Sequence, residues 1–239
     1  GTFLQTSFIE PLIYSKCLIA NAVLLHASCI SNGEQAYLFV ASSGSGKTTT
    51  ALRLANKGFE FLGDDLIFVT DKGLTLPYPR PLHLFSYVIK GLPFLHISSK
   101  LKYTLLWKDI VRAIVSRLTG ERFFIATRVD PTEVMPQLKV GKSVPLKKIF
   151  FLTNQEDNKL KQLNAIDYVE TAKRISSVGD INKVLFENIL ASDPEYVSFL
   201  RERETEIIED ALHNVSEIYE MNPRAFDDSD WQMLMNLLR

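Results

Sequence analysis

Very little in this chain is made for disulfides or thiolate metal sites. Its 239 residues hold two cysteines, Cys17 and Cys29, both in apolar stretches and neither at a ligand-type spacing. They are expected to be reduced core thiols, which suits a reducing compartment and so a cytoplasmic location. Long apolar runs are missing too. The longest, Cys17 to Ile30, is shorter than a bilayer span and is interrupted by Asn21 and His26. No signal peptide is visible, and the chain opens on Gly1 rather than Met, which leaves any preceding segment open. Internal repeats and low-complexity tracts are absent. So is a net excess of one charge, the formal total being −1; neither nucleic acid nor a membrane is expected as a partner.

The near-zero total hides an asymmetry. Residues 1–182 carry 22 Lys/Arg against 15 Asp/Glu, and residues 183–239 carry 5 against 13. A basic body suits anionic ligands such as nucleotides. The acidic tail either docks on that body or on a basic partner, or is a solvated helical face. The 46% hydrophobic and 23% charged residues are the usual balance for a soluble globular protein, and 239 residues suffice for one well-buried α/β domain with an appendage or for two small domains.

Turn and breaker residues divide the chain. A short helix and a strand, Val23–Ser28, are expected before the turn Ser31-Asn32-Gly33-Glu34, and Ala36–Val40 reads as a compact strand. A helix from Lys47 to about Lys57 closes at Gly58. Phe59–Leu62 is a second strand running into Gly63-Asp64-Asp65, and Leu66–Thr70 and Leu74–Leu76 are extended about a turn at Asp71–Gly73. Tyr78-Pro79-Arg80-Pro81 is a loop. Residues 102–119 read as a basic amphipathic helix, Leu105, Leu106, Ile110, Ile114, Val115 and Leu118 recurring among Lys108, Arg112 and Arg117. Its basic side either docks an acidic peptide segment or is a solvated face. Lys147–Leu152 is a further strand. From Ile166 onward the pattern is helical, with a long acidic helix over Tyr196–Tyr219 and a short one over Trp231–Leu238. Together these give a mixed-sheet α/β nucleotide-binding core over 1–165 and a helical, acidic C-terminal subdomain over 166–239.

The chemistry concentrates at residues 41–48, Ala-Ser-Ser-Gly-Ser-Gly-Lys-Thr. Glycines at 44 and 46 let successive backbone N–H groups turn inward on phosphate oxygens, and the helix that follows adds its positive end. Ser43, Gly44, Ser45, Gly46, Lys47, Thr48 and Thr49 are the expected ATP-binding residues. Lys47 reaches the β- and γ-phosphates, and the Thr48 hydroxyl ligates Mg²⁺. Ala41 stands where the pattern has its first glycine, a small residue at the strand's exit. Asp64 and Asp65 lie one helix and one strand further on. A strand running back beside the first would bring both carboxylates to the same sheet edge, where hard oxygens hold Mg²⁺ with Thr48 and a spare carboxylate takes a proton. The competing reading of that pair is a solvated turn after glycine. His26 is either a satisfied core residue or a neighbour of the γ-phosphate or the metal. Arg80, stiffened between prolines, is the first candidate to bear on the transferring phosphoryl group and Arg128 the second; a surface arginine is the alternative for each.

The runs Leu25-His26-Ala27-Ser28, Tyr37 through Thr49 and Gly63-Asp64-Asp65 resemble the nucleotide core shared by HPr kinase/phosphorylase and ATP-dependent phosphoenolpyruvate carboxykinase, over about residues 23–70. The resemblance implies a mixed-sheet P-loop core of that type, with Lys47 and Thr48 on phosphates and metal, Asp64 and Asp65 supplying metal ligation and the base, and His26 lining the site. The Glu-(Val/Ile)-Arg-Gly-Leu-Gly signature of the HPr enzyme is absent, as are the arginine motifs of the carboxykinases. The chain looks more like shorter kinase-like relatives, some associated with peptide modification, such as lasso-peptide kinases. The activity so implied is ATP- and Mg²⁺-dependent phosphorylation of a serine-type hydroxyl on a peptide or small protein, with self-association implied by resemblance alone. A nucleotide-sensing module without transfer, or a kinase of free serine or a sugar, are the competing functions.

Overall fold

Alternation along two central strands decides how the layers form. The computed structural model of the chain describes residues 9–42, 44–119, 127–154, 159–163, 167–178 and 193–239. Its elements, in chain order, begin with α1 (Glu10–Ile19), β1 (Ala22–Leu25), β2 (Ala27–Ser31), β3 (Ala36–Val40), α2 (Lys47–Ala55), β4 (Glu60–Gly63), β5 (Ile67–Thr70), β6 (Leu74–Leu76) and β7 (Leu82–Leu84). They continue through α3 (Ser86–Lys90), α4 (Ser99–Thr119), β8 (Thr127–Val129), α5 (Pro131–Val134), β9 (Val144–Leu152), β10 (Leu160–Gln162), α6 (Tyr168–Ser177), α7 (Pro194–Leu212), β11 (Glu217–Met221) and α8 (Asp228–Leu237).

On β3, Tyr37 and Phe39 point to one face while Ala36, Leu38 and Val40 point to the other; on β9, Phe150 and Leu152 oppose Ile149 and Phe151. Period-2 placement of apolar residues on both faces requires a covering layer on each side. One face buries Tyr14 and Leu18 of α1, Ala172 of α6 and Val197, Leu200 and Ile207 of α7. The opposite face buries Ala51, Leu52 and Leu54 of α2, Leu84 of β7, Leu105 of α4, and Trp231 and Leu234 of α8. Phe39, Phe150 and Tyr219 stack in series on that second face, at 5.2 and 5.0 Å between ring centroids.

The sheet is mixed. Nine of the described strands join in it, ordered β1-β5-β6-β9-β3-β2-β4, with β11 added to β9 and β10 to β11. β9 runs parallel to both β3 and β11, and β2 runs antiparallel to β3 and to β4. A mixed α/β core with helices toward the C-terminus is therefore present. The helix read over Tyr196–Tyr219 is shorter than expected. It stops at Leu212, and Glu217–Met221 forms a strand in register with Lys148–Leu152. The expected boundary at 165/166 falls outside the described residues.

His26 ends up between strands rather than on one. β1 closes at Leu25 and pairs with β5, whereas β2 opens at Ala27 and pairs with β3 and β4, so the chain changes partners at His26. Gly58, at φ +100°, ends α2 in the left-handed position expected of a helix C-terminus. Among the described residues no helix is long and apolar enough to cross a membrane.

Candidate functional site

β3 delivers the glycine loop. Gly44 at φ +84° and Gly46 at φ +98° take the left-handed conformations that their lack of a Cβ makes accessible, and Gly46 leads directly into α2. Lys47, only 7% exposed, folds back so that its ammonium donates to the carbonyls of Ala41 and Ser42. Burial lowers its pKa, and the carboxylates of Asp64 and Asp65 pull the other way. Ser43 lies outside the described residues. Ser45 is buried with its hydroxyl 3.2 Å from that of Ser42.

β4 lies beside β2 and not beside β3 as expected, because β2 takes the place next to β3; running parallel to β3 one strand further out, it still ends with the aspartate pair at the loop. Thr48 Oγ1 donates to Asp64 Oδ2 at 2.7 Å, and the Ser28 hydroxyl of β2 donates to Asp64 Oδ1. Asp64 is 4% exposed. Its burial pushes the carboxyl above the ordinary range, against the Ser28 and Thr48 hydroxyls that stabilise the anion. Gly63 is needed just before it: a Cβ there would sit 3.0 Å from the carbonyl oxygens of Leu66 and Tyr78. That close approach is a bridge between Gly63 and Tyr78, sealed by Tyr78 N–H donating to Leu62 O at 2.7 Å, and it brings the Pro79-Arg80-Pro81 segment alongside the pair.

Asp65 turns the opposite way. At φ +70° it is one of two non-glycine residues described in the left-handed region, an uncommon conformation for a side-chain-bearing residue. Three basic side chains surround its carboxylate: His26 Nε2 at 3.4 Å from Oδ1, and Arg80 Nη1 and His83 Nδ1 each at 3.7 Å from Oδ2. The 3.7 Å pairs exceed hydrogen-bond length. Burial, and then the charge of Lys47, lowers the His26 pKa, so the imidazole is biased to its neutral form.

These groups share a cavity of about 690 Å³. His26, Lys47, Thr48, Asp64, Asp65 and His83 line it, together with Arg53, Pro223, Arg224, Phe226 and Trp231. Arg80 reaches Asp65 without lining the cavity, and Arg128 sits exposed on β8 opposite His83. The arginines that do line it are Arg53 and Arg224. Arg224 donates to Gly44 O, Pro223 lies 3.3 Å from where a Cβ on Gly46 would stand, and the Arg53 guanidinium lies 4.7 Å over the Trp231 ring. Two lining residues hold buried polar atoms without a hydrogen-bond partner, Thr50 Oγ1 and Trp231 Nε1.

Sequence reasoning missed His83, Arg53, Arg224 and Trp231 as site residues. His83 carried a signal in Leu82-His83-Leu84, an apolar-polar-apolar triplet that sets its side chain opposite the core. The tail residues carried none, because only the pairing of β11 with β9 brings them to the loop.

No group of three or more His, Cys, Asp or Glu side chains suited to a metal occurs among the described residues. A magnesium ion beside a polyphosphate needs less, one or two carboxylates with phosphate and water oxygens completing the octahedron. Thr48, Asp64 and Asp65 are hard-oxygen donors of that kind. No family model matches the chain, and no curated protein matches it.

Proposed function

We propose that this chain is an ATP- and Mg²⁺-dependent kinase of the HPr kinase/phosphoenolpyruvate carboxykinase type, transferring the γ-phosphoryl group to a serine-type hydroxyl of a peptide or small protein. The observation that carries the reading is the division of labour between adjacent carboxylates. Asp64 is buried and bonded to Thr48, whereas Asp65 is half-buried, faces the cavity and is surrounded by cationic and imidazole groups. Phosphoryl transfer asks for both: a ligand for the metal and a group that orients or deprotonates the attacking hydroxyl.

In this reading the loop's N–H groups and Lys47 hold the phosphates, with Lys47 leaving the carbonyls of Ala41 and Ser42 for phosphate oxygens. Thr48 and Asp64 hold the metal, which when bound draws charge from the phosphate oxygens. Asp65 accepts the hydroxyl proton, its carboxylate lying among His26, Arg80 and His83. Arg224 is better sited than Arg80 to bear on the phosphates, since it lines the cavity beside Gly44. Arg53, Phe226 and Trp231, with the guanidinium stacked on the indole, supply a flat, partly apolar wall suited to the nucleoside.

Incubation with γ-labelled ATP and a panel of serine-containing peptides tests the reading. Label on a peptide hydroxyl is expected from the wild type and none from Asp65→Asn; undiminished labelling by that variant removes Asp65 from the mechanism. The contact of Arg224 with the loop favours one second reading, a module whose C-terminal segment responds to ATP without transfer. Binding with neither labelling nor hydrolysis selects it.

A further inference from the structure

Helix α4 is turned inside out. An amphipathic helix on a globular protein ordinarily sets its apolar stripe against the core. Here Leu105 is its only buried residue among those described, and Tyr103, Leu106, Trp107, Ile110, Ile114 and Leu118 are exposed, Tyr103 by 73%, Trp107 by 66% and Leu118 by 81%. At 3.6 residues per turn these six side chains fall within an arc of about 120°. The opposite side carries Leu101, Leu105 and Arg112. A contiguous apolar face of this size, rimmed by polar groups, marks an interaction surface.

Charge narrows the occupant. α4 carries five basic residues and one acidic one, and that one, Asp109, is held by Arg112 at 2.8 Å. The exposed charges on and beside the stripe are Arg117, within its arc, and Lys100 and Lys102 at its borders, with Lys90 on the adjoining α3. A second copy meeting this face about a two-fold axis would set basic rim against basic rim. An apolar segment with acidic borders fits instead.

The other side of the helix, the one that carries Arg112, is the side that borders the cavity. The Arg112 guanidinium lies 5.8 Å over Phe85, Phe85 stacks on Tyr87 at 5.3 Å, and both rings line the cavity near His83. We propose that the outward face of α4 docks the acceptor, a peptide segment with an apolar stripe and acidic borders. This rests on the kinase reading for the identity of the acceptor; the docking itself does not.

The test uses two fluorescein-labelled peptides of about 20 residues that share a Leu/Ile stripe and a serine, one with Glu borders and one with Lys borders. Binding to the full chain is followed by anisotropy without nucleotide, and ATP binding is titrated separately. The Glu-bordered peptide is expected to bind at least about tenfold more tightly, to weaken with added salt, and to lose at least about tenfold in affinity to Trp107→Glu/Ile110→Glu. That variant is expected to keep the wild-type affinity for ATP. Equal binding of both peptides, no binding, or indifference to the double substitution overturns the proposal. So does tighter binding to phosphatidylserine vesicles than to the peptide, or a dimer that the double substitution dissolves. Peptide binding by a wild type that fails to bind ATP removes the kinase reading and leaves the docking face standing.

Discussion

Thr48 and Asp64, sixteen residues apart, are joined by a 2.7 Å hydrogen bond from hydroxyl to buried carboxylate. The bond ties the first turn of α2 to the end of β4, and in the kinase reading both oxygens belong to one metal. Thr48→Ser keeps the hydroxyl and is expected to keep magnesium-dependent ATP affinity. Thr48→Val keeps the shape but removes the donor, and the gain in ATP affinity on adding Mg²⁺ is expected to fall by about tenfold or more. Calorimetric titrations with and without the metal read the difference.

Asp65 separates chemistry from folding. Asn accepts a left-handed backbone, so Asp65→Asn is expected to fold with near wild-type stability, to bind ATP, and to lose transfer. Asp65→Val meets the steric penalty of that backbone, about 1–2 kcal/mol, and is expected to unfold at correspondingly lower urea. Equal stability of the two variants contradicts the conformation assigned to residue 65.

Asp64 makes the stability depend on pH. Burial raises its carboxyl pKa in the folded chain, so the folded state holds the proton more tightly than the unfolded state does. The associated stability is full below the ordinary carboxylate range and is lost as pH rises through the raised value. In chelator, Asp64→Asn is expected to gain on the wild type from about pH 4 upward. Millimolar Mg²⁺ is expected to restore the wild type and not the variant. A gap between the two that stays constant with pH contradicts this account of Asp64.

Much of this arrangement was legible in the residues and part of it was not. Gly44, Gly46, Lys47 and Thr48 announce their geometry, because few other sequences satisfy a bent loop opening a helix. Asp64 and Asp65 followed from one helix and one strand, although that strand lies beside β2 and not beside β3. Glu217–Met221 was lost to the helix before it, since a five-residue strand with two glutamates offers little alternation to oppose an acidic helical run. With that strand went Arg224, Phe226 and Trp231, whose nearness to the loop is a property of sheet order. The outward stripe of α4 was equally hidden, for periodicity defines a face without saying which way it turns.

Trp231 is a built-in reporter of the cavity. The chain has two tryptophans, so Trp107→Phe leaves Trp231 alone, beneath the Arg53 guanidinium. Its emission is expected to change as MgATP is added, with a midpoint matching the calorimetric affinity. Emission indifferent to saturating nucleotide moves the nucleoside away from α8.

The central claim is that the loop from Gly44 to Thr48 grips a nucleoside triphosphate with its metal. Calorimetry of ATP against wild type and Lys47→Ala, at millimolar Mg²⁺, tests it most directly. The account predicts binding by the wild type and a loss of about 10- to 100-fold in the variant, the range for hydrogen bonds to a charged group. No heat of binding from the wild type, or equal affinities in the two proteins, contradicts it.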